Sequence, residues 1–302
     1  MRSQIEQLNE QFAITNHLQF QRGREGIVTA HIDNALGRAA IALQGAQLIS
    51  YQATDGKPLI WISSDARYAP GNPLRGGIPI CWPWFGPHEL DSSLPNHGTA
   101  RTATWLPTAT AALDDGATLI TFTMEQHATT RKIYGDTLQV AIHFTIGSRL
   151  TITLESSNLG TTPVTISEAL HSYFMVGDIR QATIAGLDGC SYLDKVDGMV
   201  CKQQQGDVVI TAETDRIYLD TKGEISITDP VMQRKVVITA TGSASTVIWN
   251  PWRARAEEMG DMGSDGYLNM LCVESANAAS NRITIAAGGT HRLTTTYTTK
   301  PL

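Results

Sequence analysis

Apolar and polar positions alternate along most of this chain. Leu138 to Ile146 and Leu150 to Ser156 are the clearest stretches, with Val, Ile, Leu or Phe at nearly every second place. That is the period of a strand with one buried face. The same rhythm, rich in Thr, Val and Ile, runs through 27–33, 39–44, 47–51, 59–62, 102–106, 117–124 and 164–173. It resumes at 208–210, 225–227, 236–238, 246–249, 271–273, 283–285 and 293–297, mostly across short gaps holding Gly, Asp or Asn. Helical spacing is confined to Ile5, Leu8 and Phe12, and to Trp252–Met259, which Asn250-Pro251 opens and Gly260 stops. With no fixed-period repeat and no linker, the pattern predicts one all-β domain over residues 1–302. Its antiparallel strands are expected in two large sheets packed face to face, with a few short helices.

One stretch breaks the rhythm. Residues 71–101 read GNPLRGGIPICWPWFGPHELDSSLPNHGTAR. Five prolines and several glycines exclude a helix and dictate an ordered, looping path. That path carries Arg75, Trp82, Trp84, Phe85, His88, His97 and Arg101. Aromatic faces mixed with guanidinium and imidazole groups suit a polar ligand with apolar faces, such as a sugar. A proline-rich connection with two Trp rings packed beneath it fits equally well.

Composition narrows the function. A formal net charge of −6 and a pI near 5.7 argue against a nucleic-acid or polybasic membrane surface. No apolar run reaches the roughly 18 residues that span a bilayer, and the N-terminus lacks a signal-like segment. Cys81, Cys190, Cys201 and Cys272 form no CxxC pair. Free thiols in a reducing cytoplasm are expected, and a thiolate metal centre is not.

Phosphate-loop, dinucleotide, HExxH and GxSxG patterns are all missing. Acid/base chemistry without a cofactor or metal is the enzymatic option left. His171, in Leu170-His171-Ser172-Tyr173, is the economical general acid. On a strand it faces the same way as Ala169 and Tyr173. Glu274 closes the apolar run 270–273, at the end of a buried strand, where partial burial would favour its protonated form. Arg75 and Arg101 could hold an anion in planar fashion, or form surface ion pairs. Asp194 could bind hydroxyls or serve a turn.

Read in order, Arg75-Gly76-Gly77-Ile78-Pro79, Trp82-Pro83-Trp84-Phe85-Gly86-Pro87, His97-Gly98-Thr99-Ala100-Arg101, Leu170–Phe174, Trp249-Asn250-Pro251-Trp252 and Cys272-Val273-Glu274 resemble the blocks of the aldose 1-epimerase superfamily. They are most similar to its hexose-6-phosphate mutarotase branch, the YeaD-like glucose-6-phosphate 1-epimerases. The resemblance implies a β-supersandwich, the galactose mutarotase-like fold. It also implies cofactor-independent exchange of the α and β anomers of a hexose 6-phosphate, with a neutral aldose such as galactose as the alternative substrate. By the same resemblance His171 protonates the ring oxygen and Glu274 takes the O1 proton; the chemistry of ring opening asks for the two about a sugar ring apart. Arg75 and Arg101 hold the phosphate, and Asp194 binds hydroxyls. Asn96, where fungal members carry Gln, His97 and Trp84 complete the expected substrate contacts. A sugar-binding protein without turnover is the rival from another class. The expected partner is a small sugar phosphate, and the expected state a cytoplasmic monomer that binds neither nucleic acid nor membrane.

Overall fold

The computed structural model describes residues 2–302. Ser3 starts the first helix, Gln4–Phe12, through a reciprocal cap in which its hydroxyl accepts from the Glu6 amide while the Glu6 carboxylate accepts from the Ser3 amide. Beyond it, strands dominate. A four-stranded antiparallel sheet, Leu18–Arg22, Val28–Asn34, Gly37–Ala42 and Gln47–Ala53, comes first in the chain.

The two large sheets follow. One has nine strands in the order Val208–Val209, Thr183–Ala185, Glu224–Asp229, Arg234–Thr241, Thr290–Pro301, Leu150–Asn158, Leu138–Ile146, Thr118–Met124 and Trp105–Ala112. The other has eight. Val200–Gln203, Ser191–Asp194, Thr214–Leu219, Ser245–Asn250, Met270–Asn277, Glu168–Leu170 and Ile80–Cys81 run in that order, and Tyr173–Met175 also pairs with Met270–Asn277. All these pairings are antiparallel. The expected two-sheet all-β architecture is what forms.

Alternation decides which side chains meet between the sheets. Ile142, Phe144 and Leu154 from the nine-stranded sheet join Leu271, Val273 and Ile248 from the eight-stranded one in one apolar core. Each such side chain contributes on the order of 1.5–3 kcal/mol by leaving water. The four-stranded sheet adds Ile32, Ile41 and Leu48 to the same core. It is tied down by Tyr51, whose hydroxyl donates to the Gly147 carbonyl at 2.8 Å.

Three departures from the alternation matter for the site. Residues 59–62 make isolated bridges to Phe174 and Gly76 rather than a strand. The run 164–173 breaks into Val164–Ile166, Glu168–Leu170 and Tyr173–Met175, leaving His171 outside the ladder with its amide donating to the Pro79 carbonyl at 3.0 Å. The strand holding Glu274 does not end there; it runs on to Asn277 and is buried along its whole length. Ser275, Ala276 and Asn277 look like a rim, yet Asn277 is paired with the buried Glu168 carboxylate at 3.1 Å.

Candidate active site

The proline-rich stretch forms the edge of the eight-stranded sheet. Cys81 pairs with Ala169, the Tyr173 amide donates to the Gly77 carbonyl, and the Ser167 amide donates to that of Pro83. Close approach explains the glycines. Gly76 sits at φ 108, where a Cβ would lie 2.5 Å from Ile62 Cα, and Gly98 at φ 73 presses its backbone against the Trp82 carbonyl. The Trp82–Pro83 peptide is cis.

Sheet register then assembles the site on the outer face of this sheet. Glu274 stands opposite Val247, which faces Ile217 and then Leu193 across the neighbouring strands. Two residues earlier, Cys272 stands opposite Trp249, and Trp249 opposite Asp215. Residues two apart share a face, so both rows look outward, away from Val273 and the core. Lys195 completes the second row: its amide donates to the Asp215 carbonyl, and its ammonium donates to the Asp215 carboxylate at 2.6 Å.

His171 comes to Glu274 from the edge of the sheet. Its Nε2 lies 3.4 Å from Glu274 Oε1. The sequence reading expects these groups about a sugar ring apart, but they are in direct contact. Exchange at one anomeric carbon accommodates that, because O1 and O5 are bonded to the same atom. The imidazole stacks on Tyr173, with centroids 4.8 Å apart and planes inclined by 10°, and meets the edges of His97 at 5.8 Å and Trp249 at 6.0 Å. Packing on three sides fixes the ring orientation. Among the described residues, His171 Nδ1 and Glu274 Oε2 are buried without a hydrogen-bond partner.

Burial sets the proton balance. It pushes the His171 pKa well below the ordinary imidazole value, with His97, Arg101 and Arg75 adding to the effect. It lifts Glu274 well above the ordinary carboxylate value, helped by Asp215 and opposed by Lys195. The pair therefore favours a single shared proton. Carboxylic acid beside neutral imidazole, and carboxylate beside imidazolium, differ only in which atom holds it. His97 is held neutral, its pKa lowered to about 3 by burial and then by Arg101, Lys195 and Arg75. Its Nδ1 accepts from the Gly86 amide, which leaves the proton on Nε2.

The remaining expected contacts divide. Arg75 and Arg101 both act electrostatically on His171. Arg75 Nε donates to Asp261 Oδ1 at 3.0 Å and Nη1 to the Tyr173 hydroxyl at 3.1 Å. Arg101 Nη2 donates to the Asn96 carbonyl at 2.6 Å. Asn96 thus contributes its backbone, with its residue otherwise exposed. Trp84 is buried, its indole N–H taken by the Pro95 carbonyl, so it braces the loop; Phe85 is the ring that meets His97, at 4.8 Å. Asp194 is displaced as a hydroxyl-binding group. It stands opposite Arg216 in the row that leads to Val273, on the inner face, and its carboxylate is held by Lys202 at 2.8 Å. One step of the pleat separates it from Lys195 and Asp215, which take the outward position. Asp215, Lys195 and Asp261 escape the sequence reading because only cross-strand register or loop packing brings them here, and Trp249 enters it only as part of the Trp249-Asn250-Pro251-Trp252 block, without a role. Tyr173 was signalled, two places beyond His171.

The arrangement of sheets is that of the galactose mutarotase-like sandwich. It superposes on a Salmonella typhimurium structure provisionally described as a mutarotase, with TM-score 0.88 at 31% identity, over 96% of each chain. A galactose mutarotase-like protein from Clostridium acetobutylicum shares the fold at TM-score 0.69 and 13% identity, over 94% of this chain and 98% of that one. Residues 29–298 match the aldose 1-epimerase family, and the chain belongs to it. A Salmonella typhimurium relative with the provisional name glucose-6-phosphate 1-epimerase is 35% identical over 250 residues, 82% of this chain and 83% of its own. A plant relative from Cenchrus ciliaris with the same provisional name is 34% identical, over 83% of this chain and 78% of its own.

Proposed function

We propose that the protein interconverts the α and β anomers of a hexose 6-phosphate, glucose 6-phosphate foremost, by general acid/base ring opening. The observation that carries this is the His171–Glu274 contact of 3.4 Å, with Arg75 and Arg101 near enough to act electrostatically on His171. With the shared proton on His171, Glu274 is a carboxylate beside O1 and the imidazolium is a donor beside O5. Transfer of the O1 proton to Glu274 and of the His171 proton to O5 opens the ring. Rotation about C1–C2 presents the other carbonyl face, and the reverse transfers close it. No net proton is consumed. Trp249, half-buried and edge-on to His171 and Tyr173, offers an aromatic wall for the sugar. Arg75 and Arg101 hold the phosphate through charge-assisted hydrogen bonds.

A second reading has one observation behind it: Arg75 is already partnered by Asp261 and Tyr173, which suits a neutral sugar such as galactose. Anomer exchange measured side by side on α-D-glucose 6-phosphate and α-D-galactose separates the two. A kcat/KM at least tenfold higher for the phosphate is expected. A preference for galactose refutes phosphate recognition, and exchange of neither sugar refutes the mutarotase reading.

A further inference from the structure

Cys272 has no part in the proton transfers just described, yet it sits one row from Glu274 on the same outward face. Its Sγ, a nitrogen of His171 and a carboxylate oxygen of Glu274 all lie within 4.8 Å of one another. Three different ligand types, two from the strand Met270–Asn277 and one from the break that holds His171 about a hundred residues earlier, are a donor set of the kind that binds borderline-soft divalent metals. The spacing matches. Bonds of about 2.0–2.1 Å to nitrogen and oxygen give a tetrahedral edge of about 3.4 Å, and His171 Nε2 lies 3.4 Å from Glu274 Oε1. The sulfur needs to close by at most about 1.3 Å to reach its own edge of about 3.5 Å at a Zn–S bond near 2.3 Å. Glu274 Oε2, buried and unpartnered among the described residues, supplies further capacity.

The geometry points to a site for a thiophilic divalent cation such as Zn²⁺ or Cd²⁺, formed by His171, Cys272 and Glu274, whose occupation shuts the enzyme off. The nitrogen lone pair that must carry the transferable proton, and the carboxylate that must receive the O1 proton, become metal ligands. Binding expels the Cys272 thiol proton and the proton shared by the pair, so protons leave to solvent as the cation enters. Neighbouring charge tolerates the cation. Asp215 and Asp261 offset Lys195 and Arg75, leaving a thiolate and a carboxylate against Arg101 and the metal. Hard Mg²⁺, which prefers oxygen ligands and retains its waters, does not fit this set. The CxxC pattern is absent because the ligands come together through tertiary register rather than local spacing.

The inhibitory part rests on the mutarotase reading; the binding part does not. The probe is therefore spectroscopic as well as kinetic. Titration of the metal-free protein with Co²⁺ is expected to give a thiolate-to-cobalt charge-transfer band in the near ultraviolet, displaced by Zn²⁺ and unaffected by Mg²⁺. Cys272→Ser should lose the band, whereas Cys201→Ser, at an exposed thiol, should keep it. Zn²⁺ should inhibit glucose 6-phosphate exchange competitively. Its inhibition constant in Cys272→Ser should rise at least about tenfold, since even outer-shell losses weaken metal sites by about 10–100-fold. If Cys272→Ser does not fold, His171→Asn must lose the band instead. A band that survives in the folded variant tested, no band in the wild type, or equal Zn²⁺ inhibition with and without Cys272 overturns the inference. A cobalt band without anomer exchange would keep the site and remove the mutarotase reading.

Discussion

The outer faces of the two large sheets are built from similar strands and treat polar side chains in opposite ways. On the nine-stranded sheet, hydroxyls pair across the ladder: Thr151 with Thr296 at 3.0 Å, Thr153 with Thr294 at 2.9 Å and Ser157 with Thr290 at 3.1 Å. Arg292 and Glu155 add a directly opposed ion pair at 2.6 Å. Every one of these groups has a neighbour of matching chemistry and remains near water. On the eight-stranded sheet, Glu274 is 1% exposed, and neither its Oε2 nor His171 Nδ1 finds a partner among the described residues. The loop at 71–101 and the packed rings of Tyr173 and His97 cause the difference, because they bury this face. A buried, incompletely partnered acid and base cost stability and shift their proton affinities toward a shared proton. The contrast separates a face satisfied with itself from one whose polar groups are completed by a substrate.

That contrast can be broken by mutation, and the largest effect is expected at His171. Replacing it by Asn removes the proton donor and should lower kcat for glucose 6-phosphate by roughly 10²–10⁴-fold with a small change in KM. A loss confined to KM would make His171 a binding group. The pH profile comes next. The active form holds one proton between His171 and Glu274. A second is added as pH falls through the lowered His171 pKa, and the first is lost as pH rises through the raised Glu274 pKa. The acid limb of kcat should therefore lie below the ordinary imidazole range, with activity falling by about tenfold per pH unit beyond each limb. An acid limb at or above pH 6.5 contradicts the burial argument.

Smaller effects sharpen the comparison. Arg101→Ala should raise KM for glucose 6-phosphate by about tenfold to a hundredfold, the scale of a hydrogen bond to a charged group, and leave any galactose exchange unaffected. Equal losses on both sugars would place Arg101 in the scaffold. Thr153→Val on the nine-stranded face should alter stability by about 0.5 kcal/mol or less in a denaturant titration, with anomer exchange unchanged. A loss of activity there would mean that the two faces are not independent.

How legible each region is in sequence follows the same division. Leu138–Ile146 and Leu150–Asn158 are plain because one face is in the core and the other in water, so polarity alternates with the pleat. Thr214–Leu219 is not legible. Asp215 turns outward into the site while Arg216 turns inward and lies 4.8 Å over the Tyr192 ring, so both faces carry charge. The same pleat hides Lys195 and Asp215, since a one-residue step from Asp194 or from Arg216 reverses the face. Glu274 and His171 stand out because ionisable groups interrupt apolar runs. Their contact is illegible, since it depends on the break at His171 that no local propensity announces. Asp261 reaches Arg75 across 186 residues, and nothing near either residue in sequence records it.

Magnetisation-exchange NMR on anomeric glucose 6-phosphate, with wild type and Glu274→Gln compared at neutral pH, tests the core of this account most directly. Gln keeps the shape and the hydrogen-bonding body of the side chain but cannot accept the O1 proton. Rapid exchange in wild type that drops by at least about 10²-fold in a folded Glu274→Gln protein, with sugar-phosphate affinity retained, is the expected result. Exchange at the wild-type rate in that variant would contradict it.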